Sequence, residues 1–411
     1  MRHWGMGNGQ SDFVMKDASV PRHNSTERNR GKVVYVCLQQ TVEGQASYAH
    51  VHEIIRGLER LGWEIDLRQI RADRGRKHSR WYYLWHYLAP QLNLWRHPPA
   101  STAALYIRAD ALALPAFLWA WMKGIPVINE VNGPYSDRIV ARPWLRPFSG
   151  LLAALQRFQY RRSSALIAVT PRLVEWLEQE SPGTPIHLVP NGANTTLFSP
   201  AAVRPRPIPN RYVILFGLLA RWQGVELLLS AIDRPEWPDG VRVLVAGSGE
   251  LQGRVEQVAH SNSRIEYLGI VPYEEMPGLI AGSLAGLSIK THVTGRTETG
   301  MSPLKLYETL SCGVPAIVTD YHGQSEIVAE YQCGRIVPQD DPRALAQAVA
   351  EIATNEAERR AMGDRGRNAV SALHSWDQRA AQVGRVIESA NRLASRGGFR
   401  PAADDIRASQ F

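Results

Sequence analysis

Strand-like and helix-like segments alternate along this chain twice over, and that rhythm narrows its possible folds to open parallel α/β sheets. The first series starts at Lys32 with KVVYVCL, a short β-branched run read as a strand. ASYAHVHEIIRGLERL follows with helical spacing, placing His50, Ile54, Leu58 and Leu61 on one face. WEIDLRQI, ALYIRAD, PVINEVN and ALIAVT continue the series, the last followed by the helix-like PRLVEWLEQE. A Pro/Arg-rich stretch, AAVRPRPIPN, reads as a linker. Beyond it a second series runs through RYVILFG, a helix from Val225, VRVLVAG, IEYLG, AGLSIK, a helix from Pro303, AIVTD and GRIVP. Long helical stretches over 342–365 and 376–396 close the chain.

Composition narrows the classes further. The 411 residues, 44% of them hydrophobic, suit a globular protein of several domains. No apolar run reaches the roughly 18 to 20 residues that span a bilayer, and the N-terminus lacks the apolar core of a secretory signal. Residues 1–31 read as a disordered leader. Cys37, Cys312 and Cys333 form no CxxC pair and are expected to be reduced structural thiols of a cytoplasmic protein. The twelve His show no metal-ligand spacing, so no metal is expected. The net charge of +8 favours phosphate-bearing partners.

In doubly wound sheets, ligands bind outside the C-terminal ends of the strands. The most informative such loop is TETGMSPLKLYETLSCGVPAIVTD, 297–320. Ser302 is a good N-cap and Pro303 a good first helical residue, with the helix running from Leu304 to Ser311. A helix N-terminus offers free N–H groups and partial positive charge to a phosphate. Lys305 and Glu308 share a face, so the ammonium could meet a phosphate while the carboxylate accepts from sugar or ribose hydroxyls. An ordinary capped helix with a surface ion pair fits the same residues.

This stretch resembles the donor-site motif of retaining GT-B glycosyltransferases of family 4 (GT4), and in particular a subgroup with the pattern SPxKxxE, here Ser302, Pro303, Lys305 and Glu308. The family carries two Glu eight positions apart. Glu308 matches the second, which the resemblance assigns to the ribose hydroxyls. The first falls on Gly300, and Glu298 stands two residues earlier as its candidate substitute. VILFGLLARWQGVELLLSAI resembles the diphosphate-clamping segment, with Gly217 in place. The clamp's Arg and Lys positions hold Leu218 and Gln223, and Arg221 in the same loop is the candidate replacement cation. Gly247 and Gly249 resemble the Gly-x-Gly turn after a strand, and would otherwise be turn glycines. Ile270 and Val271 match the segment beside the nucleobase. On the acceptor side, Gly44 matches the first loop, which faces the donor phosphates. INEVNGPYSD places Asn132 where the family often has His, with Glu130 either functional or a buried structural acid. The Pro190-Asn191-Gly192 turn resembles a segment near the hinge.

The resemblance, over roughly residues 32–395, implies an α/β fold of the GT-B type, two Rossmann-like domains facing a cleft. The expected domains are 32–198 completed by a helix at 376–396, and 199–375, with a flexible tail over 397–411. The implied reaction is retaining transfer of a hexose from a UDP- or GDP-sugar to a hydroxyl, without metal. Asn132, Glu298, Lys305 and Glu308 are the candidate reaction-centre residues. Gly44, Gly217, Arg221, Gln223, Gly247, Ile270, Val271, Ser302, Pro303, Leu304, Lys305 and Glu308 are the candidate donor-binding residues, with Lys305, the helix amides near Ser302 and Arg221 expected to hold the diphosphate. Acid-free basic stretches from Arg74 to Ala109 and Arg138 to Val174 carry interleaved Trp, Tyr and Phe. They suit an anionic membrane surface at the cytoplasmic face of the inner membrane. They also suit a lipid-linked acceptor, a polyprenyl-diphosphate-linked sugar among the candidates. A nucleic-acid-binding protein is the alternative for the same stretches, but no helix-turn-helix, zinc-finger or RNA-recognition signature appears and no nucleic acid is expected. A GT-B phosphorylase or epimerase and a catalytically inactive nucleotide-sugar-binding GT-B protein are the remaining alternatives.

Overall fold

The computed structural model describes residues 30–41, 46–70, 80–141, 143–203, 205, 207–293 and 298–395. The expected leader up to Asn29, Gly44, the Arg74–Ser79 part of the first basic stretch and the 397–411 tail lie outside the described residues. The first series of segments forms β1 (Lys32–Cys37), β2 (Glu64–Gln69), β3 (Thr102–Arg108), β4 (Val127–Val131), β5 (Ala165–Ala168) and β6 (Ile186–Leu188). These pair in parallel in the order β2-β1-β3-β4-β5-β6. The second forms β7 (Tyr212–Phe216), β8 (Arg242–Ala246), β9 (Ile265–Gly269), β10 (Ala285–Ser288), β11 (Ala316–Thr319) and β12 (Gly334–Val337). Its order is β12-β11-β10-β7-β8-β9, again all parallel. Helices cover both faces, and continuous apolar runs such as VVYVC in β1 and YVILF in β7 are wholly buried.

Strand order decides where a ligand can sit. In each sheet the first strand lies inside: β1 between β2 and β3, β7 between β8 and β10. Connections therefore leave in opposite directions, and a crevice opens beyond the C-terminal ends of β1 and β3 and of β7 and β10. Gln39 and Arg108 stand at the first crevice, Gly217 and Lys290 at the second.

Two chain crossings join the halves side by side. Ala193 N donates to His374 O at 3.0 Å, and Trp376 N donates to Ala193 O at 3.1 Å. The helix Trp376–Ser395 then packs on the helix Ala46–Arg60, so close that a Cβ at Gly57 would stand 2.3 Å from Ala380 Cβ. Its Val383, Ile387 and Ala390 share one core with Ile54 and Leu58.

Three features differ from the sequence reading. The 342–365 stretch is two helices, Pro342–Thr354 and Glu356–Leu373, because Asn355 leaves the helical conformation and its side chain accepts from Glu358 N at 3.0 Å. The first basic stretch contains a helix, Arg80–Arg96, that carries Pro90 inside it. The helix Leu304–Ser311 takes Pro303, not Ser302, as its N-cap, since the Ser302 hydroxyl is engaged elsewhere. All three cysteines are free and buried.

Candidate functional site

The second crevice is built from three segments. The loop after β7 turns at Gly217 with φ +103°, and Gly247 after β8 packs against it; a Cβ there would meet Gly217 O at 1.9 Å. One 3-10 turn, Arg221–Gln223, brings Gln223 inward, and Gly224 (φ +68°) closes it where a Cβ would strike Ile289. The third segment is the Leu304–Ser311 helix, buried throughout.

Two lysines converge on one amide oxygen. Lys305 Nζ donates to Gln223 Oε1 at 3.0 Å, and Lys290 Nζ donates to the same atom. Lys290 is 1% exposed and Lys305 9%. A Cβ at Gly217 would stand 3.9 Å from Lys305 Nζ. Burial holds the Lys290 ammonium well below its ordinary range, with the Lys305 charge pushing the same way. Burial lowers Lys305 to about 8 against the opposing pull of Glu308. Among the described residues, no carboxylate lies within ion-pair distance of either ammonium.

Glu308, one turn along the same helix, is 7% exposed. Burial raises its carboxyl to about 7, opposed by Tyr273 and Lys305 and reinforced by Glu53. Tyr273 OH donates to Glu308 Oε1 at 3.2 Å. Glu53 comes from the first half, where it accepts from Asn194 Nδ2 at 3.0 Å. The helix start also reaches across: Leu304 joins the core of the first half. Ser302 Oγ accepts from Asn191 N at 2.9 Å and sits 3.1 Å from Tyr307 OH. Thr170 Oγ1 donates to Thr299 O at 2.6 Å.

The first crevice holds a different cluster. Glu130, 2% exposed at the end of β4, accepts from Tyr106 OH at 2.7 Å, Arg108 NH1 at 2.8 Å and Asn132 Nδ2 at 2.5 Å. His50 Nε2 lies 2.8 Å from Glu130 Oε1, and His50 Nδ1 lies 2.8 Å from Asn191 Oδ1. Burial alone would raise the Glu130 carboxyl. The His50 and Arg108 charges, with hydrogen bonds from His50 and Asn132, hold it well below the usual carboxylate range instead. Asn132 itself is exposed above Glu130.

Of the residues singled out by sequence, Gly217, Gln223, Gly247, Ser302, Pro303, Leu304, Lys305 and Glu308 meet around the second crevice. The Arg221 side chain stands apart from this cluster, 80% exposed with its Nε 3.9 Å from Glu250 Oε1. Lys290 stands inside the crevice, where its Nζ meets Gln223 Oε1. Glu298 is exposed on the turn before Thr299. Gly300 has φ +80°, and a Cβ there would stand 2.9 Å from His322 O, so a Glu at 300 would be strained and crowded. Ile270, 78% exposed after β9, projects where Val271 is buried. Lys290 and His50, which the sequence reading did not single out for a site, stand at the second and first crevices. The signal for Lys290 was a charge at the end of an apolar strand, AGLSIK, whose partners depend on strand order.

The second half, residues 221–384, matches the family model described as glycosyl transferase-like, and residues 49–197 match the one described as Glycosyltransferase Family 4. This chain belongs to glycosyltransferase family 4. Among relatives of this family 4 chain, MMP alpha-(1->4)-mannosyltransferase of Mycolicibacterium hassiacum is 27% identical over 281 residues, covering 65% of this chain and 66% of that protein. Phosphatidyl-myo-inositol mannosyltransferase of Mycolicibacterium smegmatis is 25% identical over 249 residues, covering 60% of this chain and 61% of that protein. A GDP-mannose-dependent alpha-(1-6)-phosphatidylinositol monomannoside mannosyltransferase of Mycobacterium tuberculosis is 25% identical over 214 residues, covering 49% and 55%. The chain thus spans less than two thirds of the length of these relatives. Sucrose-phosphate synthase from Thermosynechococcus elongatus superposes with TM-score 0.69 at 17% identity, covering 88% of this chain and 99% of that one. Anabaena HepE in complex with UDP and glucose does so with TM-score 0.63 at 13% identity, covering 87% and 100%. At such identities the likeness establishes the GT-B fold.

Proposed function

We propose that this protein is a retaining hexosyltransferase that moves a sugar from a nucleoside diphosphate to a hydroxyl acceptor. The observation that carries this reading is the buried Lys305 ammonium at the β7–β10 crevice, with Glu308 one helical turn away on the same helix. In the transfer, the bond from the anomeric carbon to the β-phosphate oxygen breaks and the acceptor oxygen bonds the same carbon on the same face. The acceptor proton passes to the departing phosphate oxygen, so no protein base is required. Lys305 and the amides at Leu304 stabilise the charge that develops on the diphosphate. Glu308 accepts from the ribose hydroxyls, Ile270 flanks the base, and Asn132 lines the sugar side. The Lys305 ammonium and the helix amides supply the positive charge of the site, and transfer is expected to persist in EDTA.

Relatives named as GDP-mannose-dependent make GDP-mannose the first donor to test, with UDP-glucose second. Relatives named for phosphatidylinositol and phosphatidyl-myo-inositol substrates favour a lipid-linked acceptor. Trp85, Trp95, Trp144, Phe148 and Leu151, all in the first half, are exposed. Arg146, Arg161 and Arg162 are exposed as well, a combination suited to an anionic bilayer surface. No helix among the described residues is long and apolar enough to cross a membrane. The test is donor consumption with lipid acceptors, with the anomeric configuration of the product read by NMR. Absence of nucleotide release from either donor rejects the function. Failure to sediment with anionic liposomes at low salt rejects the membrane surface.

A further inference from the structure

We propose that Lys290 is a second diphosphate-binding lysine, supplying from the end of β10 the charge that Gln223 lacks. The inference rests on the hexosyltransferase reading and names a residue of the same site.

A lysine buried to 1% exposure normally has a carboxylate or several carbonyls around its ammonium, because an uncompensated buried charge is costly. Lys290 has neither among the described residues. Its ammonium, with three N–H donors, meets one neutral acceptor, Gln223 Oε1, and shares it with the ammonium of Lys305. The backbone around it is well anchored, with Lys290 N donating to Thr319 Oγ1 at 2.7 Å and Thr291 N to Trp222 O at 3.2 Å. The side chain is therefore held in place beside a like charge. For the fold alone an apolar side chain of the same length would serve better there. The arrangement makes sense once an anion enters. The diphosphate of a nucleotide sugar carries two negative charges, and two ammonium groups at the mouth of a sheet crevice match them one for one. Gln223 then acts as a spacer that holds both cations in the ligand-free protein and is displaced, or shares them, when phosphate oxygens arrive.

Two substitutions test this with opposite chemistry. Lys290→Met removes the charge and keeps the length; Gln223→Glu places a carboxylate between the ammonium groups. Each should leave the melting temperature of the ligand-free protein equal to or above that of the parent. Each should weaken GDP, UDP and inorganic pyrophosphate at least tenfold by titration calorimetry, with guanosine and uridine within twofold. A lysine that serves only folding would instead lower the melting temperature and weaken nucleoside and diphosphate alike, which overturns the proposal. Parent-like nucleotide affinity in both variants overturns it while leaving the transferase reading intact. A parent that binds pyrophosphate through Lys290 but neither nucleotide supports the clamp and rejects the transferase. A parent that binds none of the three overturns both.

Discussion

Glu130, near the end of β4, and Glu308, on the Leu304–Ser311 helix, are both buried glutamates, yet their surroundings differ in kind. Glu130 is 2% exposed and every contact around it is a donor: Tyr106, Arg108, His50 and Asn132. Its carboxyl is held well below the usual range. Glu308 is 7% exposed, receives one phenolic hydrogen bond, has Glu53 close by, and is raised to about 7. The first cluster is balanced within the protein; the second holds unpaired ammonium groups and a reluctant carboxylate. A buried group already satisfied by its neighbours serves the fold, whereas groups left unsatisfied mark where a ligand completes the arrangement.

The largest effect should come from breaking the balanced cluster. Glu130→Ala leaves the Arg108 guanidinium buried without its partner and should cost about 3–5 kcal/mol of stability in denaturant titration. A loss below about 1 kcal/mol would show that the cluster is not the structural member of the pair. Next comes Glu308→Ala, which should lower transfer at least about a hundredfold, or about 2.7 kcal/mol, with little loss of stability. Equal stability losses in the two variants would dissolve the contrast. The pH dependences should also run oppositely. Glu130, with its folded pKa depressed, contributes stability above the ordinary 4.5 that is lost as pH falls below it. Glu308, raised to about 7, binds more protons in the folded state between 4.5 and about 7, so its contribution declines as pH rises through that window. Ribose binding needs the carboxylate and diphosphate binding the ammonium. The kcat/KM profile should therefore rise toward about 7 and fall beyond about 8, up to about tenfold per pH unit, the limbs belonging to the coupled pair. The smallest effect belongs to Tyr273→Phe. Losing its hydrogen bond, worth about 1 kcal/mol, should move the acidic limb upward by less than one pH unit, and an unmoved limb would detach Tyr273 from the titration.

Periodicity made the two sheets readable, because parallel strands buried on both faces are continuous apolar runs. Lys305 and Glu308 were readable from their shared helical face. The break at Asn355 was also present in the sequence, as Asn followed three residues later by Glu358, a capping pattern hidden by apolar spacing on both sides. The helix Arg80–Arg96 escaped because Pro90 interrupts a weakly amphipathic pattern. Lys290 and the role of Glu130 could not be read, since each depends on which strands lie next to each other. Glu130 meets side chains from three separate segments, and Lys290 meets Gln223 only because β10 lies beside β7. Arg221 was a reasonable choice from the loop sequence, but the 3-10 turn points its neighbour Gln223 inward and leaves the arginine in solvent.

The two chain crossings at Ala193 and Ser375 pair like adjacent threads in a spine, and Gly192 is the stitch that lets them touch: a Cβ there would stand 2.5 Å from His374 O. A bulkier residue at 192 would act as a wedge, prising the two threads apart where they hold the halves together. Asn191 beside it bonds Ser302 at the start of the helix that carries Lys305 and Glu308, so the disturbance would travel along the backbone into the donor site.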